Sequence, residues 1–256
     1  MELAAETPLI KEAEVIRNFF SDICHWYDFY NRLFSCGMDI VWRRALVRTV
    51  YRQENRPAGE RSSMRVLDLA TGSGDVALML QKKGCDVIGL DFCEPLLQQA
   101  RQKGARQLIA ADALDLPFEA HAFDAITVAF GFRNFTDWPR AAKEALRVLK
   151  PGGWFYILEF SQPAWWIRSF YFWYLKHVLP RITGLLIGQK EAYMHLYTSV
   201  AAFPSAAAWA SKLQEWGFSH VRYKTFTFGI VALHIAQSPC ILPDSIDERP
   251  ELRILP

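Results

Sequence analysis

The stretch Val66-Leu67-Asp68-Leu69-Ala70-Thr71-Gly72-Ser73-Gly74-Asp75 constrains the fold more than any other part of the chain. An apolar run ends in a glycine pair, and a helical pattern opens behind it. Such a run suits a strand buried on both faces of a parallel sheet. The glycines let the backbone turn tightly and approach a ligand at the carboxyl end of the strand. The acids then narrow the ligand. A dinucleotide site seats pyrophosphate on the helix N-terminus, whereas here Asp75 puts a carboxylate into that first turn and Asp68 adds a second negative charge. The pattern suits adenosine that also carries positive charge, as in S-adenosylmethionine, with Gly72 and Gly74 shaping the loop. The spacing Gly72-x-Gly74-x-x-Ala77 also meets the loose dinucleotide fingerprint, so a dehydrogenase stays open at this point.

Downstream, strand patterns at 65–70, 86–91, 107–111, 123–130 and 154–160 alternate with helical ones at 75–83, 94–103 and 138–149. Alternation of this kind predicts an α/β fold, a mostly parallel sheet with helices on both faces. Thr136 or Asp137 caps the third helix, Lys150-Pro151-Gly152-Gly153 reads as a turn, and Gly217 ends a helix over 205–216. Strands near 219–225 and 228–236 close a domain spanning 64–237. Residues 1–52 read as an aromatic-rich helical lid, and 53–63 as a polar linker. The span 163–200 reads as an aromatic helical insertion, and 238–256 as a loosely ordered tail.

Composition excludes several classes. The 29 basic and 27 acidic residues nearly balance, so no basic face marks a nucleic-acid partner. The five cysteines form no C-x-x-C pair, and His177, His195, His220 and His234 lack ligand spacing. Free thiols in a reducing compartment follow, with no metal site expected. The N-terminus shows no secretory pattern, which points to the cytoplasm.

Asp91 ends the second strand 17 positions after Gly74, near the offset of an acid that binds ribose hydroxyls. The competing reading is a carboxylate that caps the helix behind it. Asp112 ends the third strand and could accept from an adenine amino group, or merely stabilise its turn. Arg133 and Asn134, in Phe130-Gly131-Phe132-Arg133-Asn134-Phe135, follow the fourth strand. This strand adjoins the first, so the pair would face the reacting groups; a surface ion pair and a turn residue are the bland alternatives. Tyr27 and Asn31 share a helix face and could cover the site, although ordinary packing explains their spacing equally well. Residues 165–175 hold seven aromatics in eleven positions. Arg168, Lys176, His177 and Arg181 interrupt the run, leaving it far short of the ~20 residues that span a bilayer. It could cap the domain, wall a greasy tunnel or lie at a membrane interface.

Together these segments resemble the ubiquinone/menaquinone biosynthesis C-methyltransferase family over roughly residues 14–236. The likeness rests on Tyr27-Asp28-x-x-Asn31, Trp42-Arg43-Arg44, the loop from Asp68 to Asp75, Asp112-Ala113-Leu114-Asp115-Leu116-Pro117-Phe118 and Phe123-Asp124. It continues through Phe130-Gly131-Phe132-Arg133-Asn134, Leu146 to Gly153, Leu158-Glu159-Phe160-Ser161, Val178-Leu179-Pro180 and Gly229-Ile230-Val231-Ala232-Leu233-His234. The glycine loop is widespread among methyltransferases; the Phe-Gly-x-Arg-Asn run with that C-terminal piece is not.

The resemblance implies a class I, seven-stranded S-adenosylmethionine-dependent fold. It implies a polyprenylated quinol acceptor, in menaquinone or ubiquinone biosynthesis, with demethylmenaquinol as the first expectation. It carries Ser73, Asp91, Asp112 with Ala113, and Ala129 onto the family's cofactor contacts. Ser73 stands for the usual Thr, Ala129 for a Ser of some members, and Leu96 for a common Met. It further implies that Arg133 and Asn134 act on the acceptor hydroxyl, with Arg133 stabilising a phenolate because a guanidinium is a poor base. Tyr27 would close the site over the donor. Peripheral contact with the inner face of the cytoplasmic membrane, and a homodimer or a quinone-biosynthesis complex, complete the expectation. Two rivals remain: a methyltransferase for a soluble phenol, and a catalytically silent scaffold in a quinone-biosynthesis assembly.

Overall fold

The computed structural model describes residues 32, 35, 37–53, 64–179, 181 and 190–240, the side chains of 53 and 190–195 aside. Helix α1 (Met38–Gln53) precedes a regular alternation. Strand β1 (Arg65–Leu69) leads to α2 (Asp75–Gln81), β2 (Asp86–Asp91) to α3 (Glu94–Gln102), and β3 (Gln107–Ala110) follows. Next come β4 (Phe123–Ala129), a 3₁₀ turn over Phe132–Asn134, α4 (Trp138–Val148) and β5 (Leu149–Phe160). The last part holds α5 (Trp165–Trp173), a π turn over Tyr174–Val178, α6 (Lys190–Ala202), α7 (Ala206–Glu215), β6 (Ser219–Phe226) and β7 (Val231–Gln237).

The seven strands form one sheet in the order β3-β2-β1-β4-β5-β7-β6. β1 to β5 are parallel, and β7 runs antiparallel between β5 and β6. The chain leaves β1 in one direction to build β2 and β3, then returns to β1's other side with β4. That reversal opens a crevice at the carboxyl ends of β1 and β4.

Successive residues of a strand face opposite sides, and the two cores divide accordingly. Leu67, Ile126, Phe155 and Ile157 pack against α4 and α7. Val66, Ala125, Tyr156, Leu158 and Leu233 pack against α1 and α2, where Trp42, Leu46, Val50 and Leu80 meet them. Between the two caps expected for α4, the chain uses Asp137, whose Oδ1 accepts from the Arg140 amide at 3.0 Å; Pro139 sits in the first turn. Gly217, at φ +102°, closes α7.

Three local expectations change. Lys150 to Gly153 lie inside β5, as a register shift opposite Phe123–Ala125, with Gly152 at φ +74°. β7 starts at Val231, because Thr227–Gly229 forms a 3₁₀ turn with left-handed backbone at Thr227 and Phe228. Within the expected tail, Ser238 is buried and its amide donates to Gly153 O at 2.8 Å; the rest, 241–256, lies outside the described residues. So do all of residues 1–31 and the linker from 54 to 63.

Candidate active site

A cleft runs over the carboxyl ends of β3, β2, β1 and β4 as three adjoining cavities. The first lies between Asp91, Phe92, Asp112 and Ala113, and encloses about 450 Å³ of non-protein space including its open mouth. The second continues past Gly72, Ala129, Phe130 and Asn134. The third ends among Arg43, Asp68, Ser73 and Asp75. Ala70 lines all three. Small-molecule sites commonly enclose ~300–1,000 Å³.

The loop after β1 is held by β2. The Thr71 amide donates to Leu90 O at 3.0 Å, and the Gly72 amide to Asp91 Oδ2 at 2.8 Å. Gly74 starts α2 at φ +84°, and a Cβ there would lie 2.9 Å from the Cβ of Ala100 on α3; glycine is required on both counts. The loop after β4 approaches from the other side. A Cβ on Gly131 would meet the Cβ of Ala70 at 2.4 Å. Ala70 and Phe130 themselves sit at φ +51° and +62°. Left-handed backbone at two non-glycine residues, one on each flanking loop, is strain of the kind that gathers at functional sites.

Asp91 combines the two roles the sequence left open. Its Oδ1 accepts from the Cys93 amide at 2.9 Å at the entry to α3, and its Oδ2 braces the glycine loop. A carboxylate offers about four acceptor positions, so capacity remains for a ligand hydroxyl in the cavities it lines. Burial pushes its pKa up to about 6, against the backbone N–H donors. Asp112 likewise ties its own turn, Oδ1 accepting from the Leu114 amide at 2.9 Å, while lining the first cavity. Arg147 on α4 secures that loop by donating to Leu116 O and Phe118 O at 2.9 and 2.7 Å.

Asp68 faces α1, opposite Thr127 in the β1–β4 register. The hydroxyls of Thr71 and Thr127 each donate to it at 2.6 Å. Burial raises its pKa to about 6, while the two hydroxyls and the charge of Arg43 act in the other direction. Asp75 lies in the first turn of α2, as the sequence suggests, and lines the third cavity. Its carboxylate pairs with Lys103 Nζ at 3.2 Å, so its charge is partly countered and the discrimination against phosphate falls more on Asp68. Ser73 is buried in the third cavity, and Ala129 lines the second and third.

Arg133 and Asn134 part company. The 3₁₀ turn aims Asn134 into the first two cavities, with its Oδ1 buried and unpartnered among the described residues. Arg133 turns inward. Its Nη1 donates to Glu159 Oε1 at 2.9 Å and to Phe130 O, and its guanidinium lies 5.2 Å from the Phe160 ring centroid. Glu159, fully buried on β5, also accepts from the Arg133 and Phe160 amides at 3.2 and 2.8 Å. In the sequence Glu159 stands in Leu158-Glu159-Phe160-Ser161. The signal was there: one carboxylate in the apolar strand Phe155–Phe160 requires a cation partner when buried. Tyr27 and Asn31 lie outside the described residues. Among the described residues no cluster of metal-ligating side chains occurs.

Away from the cleft, α5 exposes Trp165 (86%), Trp166 (57%), Phe170 (63%) and Trp173 (52%) on one face. Phe228 adds to it, packed edge-on against Trp166 at 5.1 Å. Beyond α5, Leu175 of the π turn and Leu179 are buried against Val200. No helix among the described residues is long and apolar enough to cross a membrane.

The sequence profile of the ubiE/COQ5 methyltransferase family matches residues 8–238. The demethylmenaquinone methyltransferase of Thermus thermophilus is 46% identical over 228 residues, covering 86% of this chain and 100% of that protein. The ubiquinone/menaquinone biosynthesis C-methyltransferase UbiE of Rickettsia massiliae is 36% identical over 240 residues, 88% of this chain and 93% of its own. Among solved structures, a chain in the complex of the Haloferax volcanii Trm112 methyltransferase activator with a putative methyltransferase superposes with a TM-score of 0.60 at 18% identity, covering 86% of this chain and 97% of its own. A SAM-dependent methyltransferase from Thermotoga maritima, described as a possible histamine N-methyltransferase, gives 0.59 at 18% identity, with 86% and 98% covered. At that identity the two structures speak to the fold alone.

Proposed function

The chain belongs to the ubiE/COQ5 methyltransferase family, and on that premise we propose that it C-methylates the ring of a polyprenylated quinol, demethylmenaquinol first, with S-adenosylmethionine as donor. One observation supports this most. A single cleft joins the ribose-type acid Asp91, the buried Asp68 and the unpartnered amide oxygen of Asn134. A buried amide oxygen without a donor costs about 1–3 kcal/mol, which a hydroxyl-bearing ring would relieve.

The residues fit an adenosyl donor. Asp112 and the Ala113 backbone would hold the adenine end, Asp91 the ribose, and Asp68 with Gly72, Ser73, Gly74 and Ala129 the charged end. When bound, the donor supplies an electrophilic methyl group. Asn134 would orient the acceptor's ring hydroxyl. Arg133 stabilises charge on that oxygen from behind, partly offset by Glu159, as the hydroxyl proton leaves to water. Tyr27 would close the site. Alignment and exclusion of water supply the acceleration.

The prenyl tail calls for an apolar surface, and the aromatic face of α5 with the exposed Arg168 offers one. We assign peripheral contact with the inner face of the cytoplasmic membrane to it.

The test is methyl transfer from labelled donor to demethylmenaquinol in vesicles. Asn134→Ala should lower kcat about 10²-fold while donor Kd stays within about 3-fold. A wild-type preference for tail-less phenols would favour the soluble rival; no transfer to any quinol, with donor still bound, would favour the scaffold.

A further inference from the structure

The third cavity has walls of both signs. Arg43 reaches it from α1 and Asp68 from β1, with Gly72 and Ser73 between them. Arg43 is only 6% exposed. Among the described residues its one carboxylate partner is Asp39, bound through Nη1, while its guanidinium lies 5.4 Å from the Phe130 ring centroid. Asp39 is in turn fixed by the Ser35 hydroxyl, which donates to its Oδ1 at 2.8 Å. Next along the helix, Trp42 Nε1 donates to Thr227 Oγ1 at 3.1 Å and pins α1 to the turn before β7. A guanidinium carries five N–H donors in a fixed fork suited to carboxylates. One nitrogen on Asp39 leaves most of that fork for the cavity.

We infer that Arg43 binds the α-carboxylate of the donor's amino-acid end, opposite Asp68 on the α-amine, with Asp39 as the positioning residue that holds Arg43. This rests on the donor reading above and extends it to a residue that lies outside the glycine loop. A zwitterion is matched by a cation and an anion on one small pocket, and among the described residues only this end of the cleft has both. The ionised form of Asp68 suits the ammonium, and the guanidinium fork of Arg43 suits the carboxylate. Phe130 backs the guanidinium and limits its rotation. β1, the loop after β4 and α1 therefore meet at the ligand, so that α1 becomes part of the donor site rather than a distant support.

The test titrates the full-length protein with three probes. S-adenosylmethionine has both groups, its decarboxylated analogue keeps only the amine, and 5′-methylthioadenosine has neither. Wild type should bind the first at least about 10-fold more tightly than the second. Arg43→Gln should weaken S-adenosylmethionine about 10- to 100-fold and leave the other two within about 3-fold; Arg43→Lys should fall between. Equal wild-type affinity for the first two probes overturns the proposal without any variant, as does uniform loss for all three in Arg43→Gln. Failure of wild type to bind S-adenosylmethionine at all overturns the donor reading itself.

Discussion

Two aromatic clusters of similar make-up meet opposite fates in this molecule. Phe132, Trp138, Phe203 and Trp209 pack edge-on or tilted at centroid distances of 4.6 to 5.4 Å, with Trp209 and Phe132 wholly buried. Trp165, Trp166, Phe170 and Trp173 stand on an open helix face. The difference is the layer above. The first cluster lies between the sheet and α4 and α7, whereas no described element covers the second. Aromatic density in a sequence therefore marks large apolar area, and topology alone decides whether that area stabilises the fold or is offered to a partner.

The largest effect should come from Trp209→Ala, which removes the centre of the buried cluster and should cost about 3–5 kcal/mol of unfolding free energy in urea titration. Trp165→Ala should stay within about 0.5 kcal/mol of wild type; a loss as large as that of Trp209→Ala would break the comparison. Next, serine at 165, 166, 170 and 173 together should lower partition onto anionic vesicles about 100-fold, with turnover of a tail-less acceptor retained. Unchanged partition would remove this face from membrane contact.

A smaller effect tests whether the buried cluster also serves the site. Phe132 adjoins Arg133 and Asn134 on one 3₁₀ turn. Phe132→Leu should cost about 1–2 kcal/mol and lower kcat more than donor affinity. The effect on pH dependence is spread over two groups. Asp68 and Asp91 both titrate near 6 in the unliganded protein, and the donor needs them ionised. Affinity should be full above about pH 7 and fall about 10-fold per carboxylate by pH 5. Stability of the unliganded protein runs the other way. The folded-state values lie above the unfolded ones, so the folded chain binds the extra protons, and stability declines as pH rises from about 4 to 6. Both trends should persist in the serine variant, since its surface lies away from the cleft.

The alternation of β1 to β5 with helices was legible because buried parallel strands are written as short apolar runs, and because Gly74 and Asp137 mark turns by local chemistry. The long-range part was not. Arg133 beside Asn134 reads as a pair, yet Glu159 on the next strand draws one inward and leaves the other at the cleft. The bland alternative for Arg133, an ion pair, turned out to be a buried one. Lys103 claims Asp75 across two helices, which no local pattern announces. The stretch 228–230 reads as strand because Phe228 and Ile230 are good strand formers, while the left-handed backbone at Thr227 and Phe228 ends one strand before the next begins. Arg43 stands in the run Trp42-Arg43-Arg44, but its place on the same cavity as Asp68 depends on how α1 crosses the sheet.

The placement of β7 has a consequence for biosynthesis. Among the described residues β7 is the last strand made, yet it lies inside the sheet, between β5 and β6. On the ribosome, β5 carries a bare hydrogen-bonding edge from the moment residue 160 emerges until residue 237 follows. At about 5–20 residues per second, that edge stays open for several seconds, a period in which nascent chains of this protein are exposed to edge-to-edge association and to chaperones that shield it.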